Sequence, residues 1–295
     1  MRLATATIVA YRRPMSSPLR TGLIGAGIGG SRSPWMHETE AASLGLDLTY
    51  TRFDLDTERD GADALPGLLD RAAAEGFLGV NITHPVKQAV IPLLDALSED
   101  ARVLGAVNTV VLRDGRRVGH NTDWFGFAEG LRLRLPDARL GAVVQMGAGG
   151  AGSAIAYALL RLGAETVSVF DLDGAKAREL VERLAPHFLG RIEVGEDLDA
   201  RLTAADGLVN TTPLGMAKYP GMAVPSAALR PDLWVAEVVY VPLETELLRA
   251  ARARGCPTAD GGAMAVIQAA EAFRLFTGVT PDTARMLRRF EAALA

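Results

Sequence analysis

Two glycine-rich turns are the features of this sequence whose residue types and spacing most clearly predict chemistry. The pattern G-x-G-x-x-G occurs at residues 25–30 and again at residues 147–152. In a dinucleotide site such a turn lets the backbone approach a pyrophosphate, and a helix must begin directly after the third glycine. A run of small, helix-forming residues follows Gly152, whereas Pro34 delays the helix that follows Gly30. The second turn therefore predicts a dinucleotide site, and the first is interpreted as a structural turn.

An aspartate ends the strand predicted after this second turn. Asp171 directly follows the mainly apolar segment 167–170. A carboxylate at this position accepts hydrogen bonds from ribose hydroxyls and repels a 2′-phosphate, which favours NAD over NADP. In the sequence no arginine adjoins Asp171 to reverse that preference. The alternative is that Asp171 is an ordinary turn or helix-capping residue before Gly174.

Polar residues at the end of another predicted strand, residues 77–83, indicate a second site. Asn81 and Thr83 lie on one face of that strand because side chains alternate, and open α/β sheets bind ligands at the carboxyl ends of their strands. The sequence then predicts a helix opening at Pro85, which places Lys87 in its first turn, where the helix dipole disfavours a cation. That position suggests a function for Lys87. The alternative is a solvated lysine without one.

The composition limits what these sites can serve. Hydrophobic residues make up 49% of the 295 residues, and no apolar run reaches the roughly 18 residues that a membrane span needs. The net charge of −4 gives no basic excess for binding nucleic acid. A single cysteine and four scattered histidines predict neither a disulfide nor a metal site. Arg12 and Arg13 follow the short apolar start directly, which argues against a signal peptide. We therefore expect a cytoplasmic protein that acts on a small molecule.

Alternating strands and helices must position these residues. In the first half, strand patterns cover residues 21–25, 48–54 and 77–83, helix patterns cover residues 34–44 and 65–75, and a hairpin covers residues 107–120. The second half has a helix at 124–135, strands at 142–146, 166–170, 207–210 and 234–240, a helix at 263–277, and a last helix with Thr280 as N-cap and Pro281 in its first position. This alternation predicts βαβ units, largely parallel sheets and an α/β fold.

The motifs, taken together, resemble those of the shikimate and quinate dehydrogenase family. The matching segments are residues 31–34, 81–87, 105–109, 121–123, 147–152, 210–216, 238–240 and 261–268. The resemblance spans residues 21–290 and preserves both order and spacing. It implies two domains with a cleft between them: an N-terminal mixed αβ substrate domain (residues 16–122, completed by residues 263–295) and a Rossmann-type NAD-binding domain (residues 123–262).

The activity implied by the resemblance is reversible hydride transfer between NAD and a ring alcohol of shikimate or quinate, which yields the 3-dehydro ketone. Lys87 and Asp123 are the implied catalytic residues. Whether Lys87 is the base or an electrostatic positioner stays open. Without the resemblance, Asp123 is equally well interpreted as the N-cap of the helix that begins near Trp124.

The resemblance also assigns binding residues. Ser31 and Ser33 would bind the substrate carboxylate, and the ring hydroxyls would meet Asn81, Thr83, Asn108, Asp123 and Gln268, with Tyr240 as a further candidate. The cofactor would contact Gly147, Ala148, Gly149, Gly150, Ala151, Gly152 and Asp171, and its nicotinamide half would contact Thr211, Thr212, Pro213, Leu214, Val238, Gly261 and Met264. From the residues alone, Ser33 is equally well a helix cap, Gln268 a solvated residue and Met264 a core residue.

Two other functions compete with this hypothesis. Biosynthetic shikimate dehydrogenases prefer NADP and usually carry a basic segment where this chain has Asp171-Leu-Asp-Gly. A dinucleotide sensor without catalysis is the second alternative, against which the presence of both Lys87 and Asp123 argues. The chain departs from the family pattern at Glu237, where aspartate is common, and at Ser33, where the quinate-active branch often has threonine. We expect no nucleic acid or membrane partner, and a monomer or homodimer.

Overall fold

The computed structural model describes residues 18–294. The expectation about a signal peptide concerns residues outside this range. Positions 16, 17 and 295 of the expected domains also lie outside it. Within the described range, no helix is long and apolar enough to cross a membrane, and no three histidine, cysteine, aspartate or glutamate side chains are grouped so that they could hold a metal ion.

Six strands of the first half form a mixed sheet in the order β2-β1-β3-β5-β6-β4. Their bounds are β1 Leu19–Gly25, β2 Leu48–Asp54, β3 Gly79–Ile82, β4 Ala96–Leu97, β5 Thr109–Arg113 and β6 Arg116–His120. β1 pairs in parallel with β2 and β3, whereas β5 is antiparallel to β3 and β6. The carboxyl ends of β1 and β3 therefore lie side by side, which brings the residues after Gly25 next to those after Ile82.

The strands of the second half form a parallel sheet in the order β12-β11-β10-β7-β8-β9. Their bounds are β7 Ala142–Met146, β8 Thr166–Phe170, β9 Ile192–Val194, β10 Gly207–Asn210, β11 Trp234–Glu237 and β12 Thr258–Ala259. The strand order reverses between β7 and β10. In open sheets of this kind ligands bind in the crevice at that reversal, outside the carboxyl ends of the strands.

Ten helices surround and connect the two sheets in the described range. Their bounds are α1 Ser33–Ser43, α2 Leu65–Ala74, α3 Glu99–Leu104, α4 Asp123–Arg134, α5 Gly150–Leu162, α6 Gly174–Phe188, α7 Leu198–Ala204, α8 Glu246–Ala253, α9 Gly261–Thr277 and α10 Thr283–Leu294. The small residues of α9 are mostly buried, and this helix packs on α4, α1 and β5. α9 therefore connects the first sheet to the helix that leads to the second.

The predicted helix at Pro85 is wrong. The chain forms turns there, followed by a short 3-10 helix at Ile91–Leu93. The reason is a long-range hydrogen bond: the Lys87 carbonyl oxygen accepts from the Val107 N–H at 2.9 Å, so it is not taken up by an α-helical ladder. Lys87 therefore lies in an irregular loop that is held by Val107, just before β5. No helix begins at Pro85, so no helix dipole acts on Lys87.

The last helix also begins later than predicted. α10 starts at Thr283, and Asp282 rather than Thr280 caps it, because the Asp282 carboxylate accepts from the Arg285 N–H at 2.9 Å. The fully buried Glu40 of α1 fixes this start: its carboxylate accepts from the Asp282 N–H at 2.7 Å and from the Arg285 guanidinium at 2.6 Å. A partner far away in the sequence thus decides where α10 begins.

The sequence predicts the bounds of some strands correctly and those of others incorrectly. β2, β7, β8 and β10 have the predicted bounds, whereas β11 ends at Glu237 instead of residue 240. The Val238 N–H group is shared between the Asn210 carbonyl oxygen of β10 and the Glu237 carboxylate, and the Val239 N–H group donates to the same carboxylate, so the ladder of β11 ends here. The edge strands β9 and β12 and the short β4 were not predicted, because two or three residues carry no readable alternation.

Candidate active site

The glycine turn at residues 147–152 lies at the reversal of the second sheet. Gly147 follows β7 with a φ of +101°, in the left-handed region that favours glycine. A β-carbon on Gly152 would lie 2.4 Å from the Gly147 carbonyl oxygen, so the start of α5 packs directly on the turn. The backbone path of the turn therefore requires glycine at both positions.

The N-terminus of α5 fits a dinucleotide pyrophosphate. No side chain of the described residues caps this helix, so the N–H groups of its first turn remain available to a ligand. A β-carbon on Gly149 would have no described atom within 4 Å, which leaves space beside the backbone. A cavity of about 500 Å³ opens at this point, and its lining includes Ala148, Gly149, Gly150 and Ala151. Available N–H groups and the positive end of a helix dipole suit an anion here.

The Asp171 carboxylate faces the glycine turn. It accepts from the Ala148 N–H at 2.7 Å and from the Asp173 N–H at 2.8 Å. α6 is capped by Asp173, so the alternative in which Asp171 caps that helix does not hold. One turn into α6, the exposed Arg178 folds back until its Nη1 lies 3.3 Å from the position of a β-carbon on Gly174. The start of α6, three residues after Asp171, therefore lies beside a guanidinium.

A larger cavity, of about 690 Å³, is lined by segments that follow β1, β3, β10 and β11. Its lining includes every side chain that the resemblance assigns to the substrate: Ser31, Ser33, Asn81, Thr83, Lys87, Asn108, Asp123, Tyr240 and Gln268. The fold thus brings polar side chains from both halves of the chain to one cavity. A small polyhydroxylated molecule fits a cavity of this size and polarity.

The two cavities meet at Lys87. Lys87 and Thr83 line both of them. The lysine side chain passes close to the glycine turn, since a β-carbon on Gly150 would lie 4.0 Å from Lys87 Cδ. A molecule in the larger cavity and a group bound at the turn would therefore approach each other beside Lys87.

Lys87 forms an ion pair with Asp123. Lys87 Nζ donates to Asp123 Oδ2 at 2.7 Å, with 21% of the lysine side chain and 12% of the aspartate side chain exposed. Asp123 Oδ1 accepts from Asn108 Nδ2 at 2.8 Å. Asp123 is the first residue of α4, where the helix dipole stabilises a carboxylate, but it does not act as a side-chain cap. Both of its oxygens instead hold side chains at the cavity.

The remaining polar residues lie at the cavity wall. Ser31 Oγ donates to Ser33 Oγ at 3.2 Å, and α1 begins at Ser33 itself, so Ser33 is not the N-cap of that helix. Gln268 is half-buried rather than solvated, and its Oε1 accepts from the Thr122 hydroxyl at 3.4 Å. Burial raises the pKa of the Tyr240 phenol, although Arg32 opposes the rise, so Tyr240 offers a neutral hydroxyl.

The residues expected near the nicotinamide divide into two groups. Thr211, Thr212, Pro213 and Val238 line the larger cavity, whereas Leu214, Gly261 and Met264 line neither of the two large cavities. A β-carbon on Gly261 would lie 2.5 Å from the Val238 carbonyl oxygen, so this glycine lets α9 approach the loop after β11. Met264 packs against the core of the second sheet. Both residues support the cavity wall from behind.

Comparison with known proteins places these motifs in a family. Residues 23–110 match the shikimate dehydrogenase substrate binding domain, and residues 263–289 match the shikimate 5′-dehydrogenase C-terminal domain. The chain is 56% identical to the shikimate dehydrogenase (NADP(+)) of Streptomyces avermitilis over 90% of this chain and 92% of that protein. It is 52% identical to the quinate/shikimate dehydrogenase (NAD(+)) of Corynebacterium efficiens over 91% and 96% of the two chains. The chain belongs to the shikimate dehydrogenase family.

A solved structure supports the same assignment. Quinate dehydrogenase from Corynebacterium glutamicum in complex with NAD superimposes with a TM-score of 0.89 at 48% identity, covering 93% of this chain and 99% of that chain. This similarity confirms the predicted α/β fold of two domains, in which a substrate domain is joined to a Rossmann-like parallel sheet.

Sequence reasoning missed several residues that line the cavities of this family member. In the smaller cavity they are His84, Pro85, Gln88, Ala106, Ser153, Lys176, Glu179, Leu180 and Arg183; in the larger they include Met216, Val239 and Val241. Arg183 Nη1 also donates to the Leu104 carbonyl oxygen at 3.0 Å, which joins α6 to the end of α3. The positions of Lys176 and Arg183, two helical turns apart, could have been recognised as one face of α6.

Glu237 was noted in the sequence only as a departure, yet it organises the loops behind the larger cavity. Its side chain, 2% exposed, accepts from Asn210 Nδ2 at 2.9 Å, from the Thr245 hydroxyl at 3.2 Å and from the N–H groups of Val238 and Val239. Burial raises the pKa of Glu237 to about 7, because desolvation outweighs the hydrogen bonds that favour the charged form.

This burial predicts a pH-dependent stability. Since the pKa of Glu237 is higher in the folded chain than its ordinary 4.5, its contribution to stability is complete below that value and is lost as the pH rises through about 7. The non-ionising Glu237→Gln variant is therefore expected to gain roughly 3 kcal/mol in free energy of unfolding relative to the wild type between pH 4.5 and pH 8. Urea titrations across this range measure the difference. The exposed Glu165→Gln is the matched control, and parallel pH profiles for wild type and Glu237→Gln would contradict the prediction.

Proposed function

We propose that the protein is an NAD-dependent oxidoreductase that interconverts shikimate or quinate and the 3-dehydro ketones, 3-dehydroshikimate or 3-dehydroquinate. The observation that carries this proposal is the Lys87–Asp123 ion pair at the junction of the two cavities. Oxidation of an alcohol needs a hydride acceptor on one side of the carbinol carbon and a proton-accepting group at its hydroxyl. The junction offers room for both.

The glycine turn and Asp171 would hold the cofactor. The N–H groups at the start of α5 would bind the pyrophosphate, and the Asp171 carboxylate would bind the adenosine ribose. NAD is supported by the absence of a sequence-adjacent arginine and by the similarity to the C. glutamicum quinate dehydrogenase with NAD. When bound, the nicotinamide ring supplies the hydride acceptor.

NADP is the second candidate cofactor. The S. avermitilis relative is a shikimate dehydrogenase (NADP(+)) at 56% identity. Arg178, whose guanidinium folds back onto Gly174 at the start of α6, is a cation that could lie near a 2′-phosphate. We favour NAD because a 2′-phosphate beside the Asp171 carboxylate would meet a like charge.

The substrate would occupy the larger cavity. Its carboxylate would accept hydrogen bonds from Ser31 and Ser33, whose hydroxyls lie together at the start of α1. The ring hydroxyls would meet Asn81, Thr83, Asn108, Asp123 and Gln268, and Tyr240 would add a neutral donor. Neutral side chains orient a ligand without requiring a charge clamp.

The proton released from the carbinol would pass to the Lys87–Asp123 pair, either to an uncharged Lys87 amine or to the Asp123 carboxylate, because an ammonium group has no lone pair that could accept it. Asp123 fixes the position of Lys87 Nζ through a hydrogen bond of 2.7 Å, and Asn108 fixes the carboxylate from the other side. A group held in this way can receive a proton without reorganising. A dinucleotide sensor without catalysis would gain nothing from such a pair.

We also propose the organisation of the whole protein. Residues 16–122 with residues 263–295 would form the substrate domain and residues 123–262 the NAD-binding domain. α9 packs on α1 and β5 of the proposed substrate domain and, more extensively, on α4 of the proposed NAD-binding domain. We expect the protein to act in the cytoplasm, as a monomer or homodimer, with a small-molecule substrate as its partner.

A spectrophotometric assay tests the proposed function. Shikimate and quinate, each supplied with NAD, are expected to produce NADH at a rate that depends on enzyme concentration. If neither acid yields NADH, the proposed activity is wrong. If NADPH forms when NADP is supplied with the acid, but no NADH forms when NAD is supplied, the result would instead support an NADP-dependent biosynthetic shikimate dehydrogenase.

A further inference from the structure

A continuous chain of hydrogen bonds runs beneath the larger cavity to Asp123. Tyr50 OH bonds to Asn81 Oδ1 at 2.8 Å, Asn81 Nδ2 to Thr109 Oγ1 at 3.0 Å, Thr109 Oγ1 to Asn108 Oδ1 at 2.9 Å, and Asn108 Nδ2 to Asp123 Oδ1 at 2.8 Å. Each of the five residues is at most 9% exposed. The chain therefore links the strand β2 to the ion pair through buried side chains.

At Asn108, the surrounding groups determine which atom donates in each hydrogen bond of this series. Asn108 Oδ1 accepts from the Thr122 N–H at 2.7 Å, and a backbone N–H can only donate. Asn108 Nδ2 then faces the Asp123 carboxylate, which only accepts. The Asn108 amide thus has one possible orientation, which does not depend on how its O and N atoms are assigned.

The orientation of the Asn81 amide is determined in the same way. Its Nδ2 faces the Asn108 carbonyl oxygen at 3.2 Å, which can only accept, so the opposite atom, which bonds to Tyr50, is the oxygen. Because Asn108 Oδ1 can only accept, the Thr109 hydroxyl gives its proton to Asn108 while its oxygen accepts from Asn81 Nδ2. The phenol of Tyr50 likewise donates to Asn81. Every proton in the chain therefore points towards Asp123.

A one-way chain has physical consequences for the carboxylate. Donors that are themselves polarised by a further donor bind an acceptor more strongly, and the last bond ends on a carboxylate, where charge strengthens it further. Lys87 holds the other oxygen of Asp123. The carboxylate is thus fixed between the lysine on one side and four linked side chains on the other.

We propose that Tyr50 and Thr109, neither of which lines the larger cavity, are positioning residues that act on the reaction through Asp123. This inference rests on the proposed function. The chain also commits both N–H groups of Asn81 to protein acceptors, Asn108 and Thr109. Asn81 can then offer the cavity only its oxygen, so it would recognise a ligand hydroxyl that donates a proton.

Substitution of Thr109 tests the central link. Thr109→Val removes the hydroxyl with little change of shape and is expected to lower kcat about tenfold, the effect of one lost hydrogen bond, with KM changed less than about threefold. Thr109→Ser restores the hydroxyl and should recover most of the loss. Thr21→Val is the matched control, because Thr21 is fully buried in the same sheet and its hydroxyl has no partner among residues 18–294. Equal losses in Thr109→Val and Thr109→Ser would overturn the proposal.

A double variant distinguishes a chain from separate contacts. Tyr50→Phe removes the first donor and is expected to lower kcat less than Thr109→Val does. If both residues act through one chain, Tyr50→Phe combined with Thr109→Val should be no slower than Thr109→Val alone, because the chain is already broken downstream. Losses that multiply would contradict the chain.

A measurement without substrate separates this proposal from the proposed function. The sequence has four asparagines: Asn81, Asn108, Asn121 and Asn210. In an NMR spectrum of the whole protein, Tyr50→Phe should shift the side-chain amide signals of Asn81 and Asn108 and leave those of Asn121 and Asn210 in place. Unmoved Asn108 signals would overturn the chain even if the enzyme is active. If the amide signals shift but neither acid is oxidised, the chain stands and the proposed function fails.

Discussion

Replacement of Lys87 by alanine is expected to lower kcat by about 10²–10⁴-fold, the range that a positioned proton-transfer group contributes. KM for the acid should change much less, because eight other side chains of the larger cavity remain to bind the substrate. Folding should persist, since Lys87 lies in a loop and Asp123 keeps its hydrogen bond from Asn108. Steady-state kinetics with both acids, together with a thermal unfolding curve, measure these effects.

The control for Lys87 is another lysine of the chain. Lys218 is exposed and lines neither of the two large cavities, so Lys218→Ala should keep the activity of the wild type. If Lys87→Ala retained turnover within a factor of about ten, the lysine would not be the proton-transfer group. A dinucleotide sensor, or a reaction centred elsewhere, would then be the better explanation of the site.

Replacement of Gly152 by alanine is expected to damage both the fold and the binding of dinucleotide. The added β-carbon would lie 2.4 Å from the Gly147 carbonyl oxygen and 2.9 Å from Thr211 Oγ1. Neither neighbour can move freely, because the Gly147 oxygen accepts from Gln145 Nε2 at 2.8 Å and from Thr211 Oγ1 at 2.9 Å. We expect the free energy of unfolding to fall by about 2–4 kcal/mol and the affinity for NAD to fall about 100-fold or more, measured by calorimetry.

Variants of two other glycines distinguish an effect on packing from an effect on NAD binding. Gly149→Ala adds a methyl group beside the same turn but into open space, so it should weaken NAD binding without lowering stability. Gly67→Ala, on the exposed face of α2 and also in open space, should leave NAD binding unchanged and should not lower stability, because alanine is the better helix former. The account of the turn is wrong if Gly152→Ala binds NAD as tightly as the wild type, or if Gly149→Ala unfolds as easily as Gly152→Ala.

The sequence was sufficient where local rules determine the structure. The bounds of β7 and β8 follow from their apolar runs, and the roles of Gly147 and Gly152 in the turn follow from the helix that begins at once after the third glycine. The first glycine turn differs too, since α1 begins only at Ser33, three residues after Gly30, with Pro34 in its first turn.

Long-range partners explain what the sequence could not predict. Lys87 was expected in a helix, but the N–H of Val107 takes its carbonyl oxygen and holds the segment as a loop. α10 begins after Asp282 because Glu40, from the first helix, binds that start. The burial of Glu237 depends on four hydrogen-bond donors brought together by three segments. No local pattern encodes such contacts.

The hydrogen-bond chain beneath the cavity illustrates the same limit. The resemblance names Asn81 and Asn108 as binding residues, but it does not reveal which of their atoms are already committed within the protein. That information comes from the register of β3 with β5, which sets Asn81 opposite Thr109. Tyr50 and Thr109 gain a proposed role only once the fold places them beside these amides.

The most direct test of the central claim is a comparison of kcat/KM for shikimate and for quinate, each with NAD and with NADP. We predict that at least one acid is oxidised with NAD and that kcat/KM for NAD exceeds that for NADP by about tenfold or more, because the Asp171 carboxylate would bind ribose hydroxyls and repel a 2′-phosphate. A preference for NADP with both acids would contradict it.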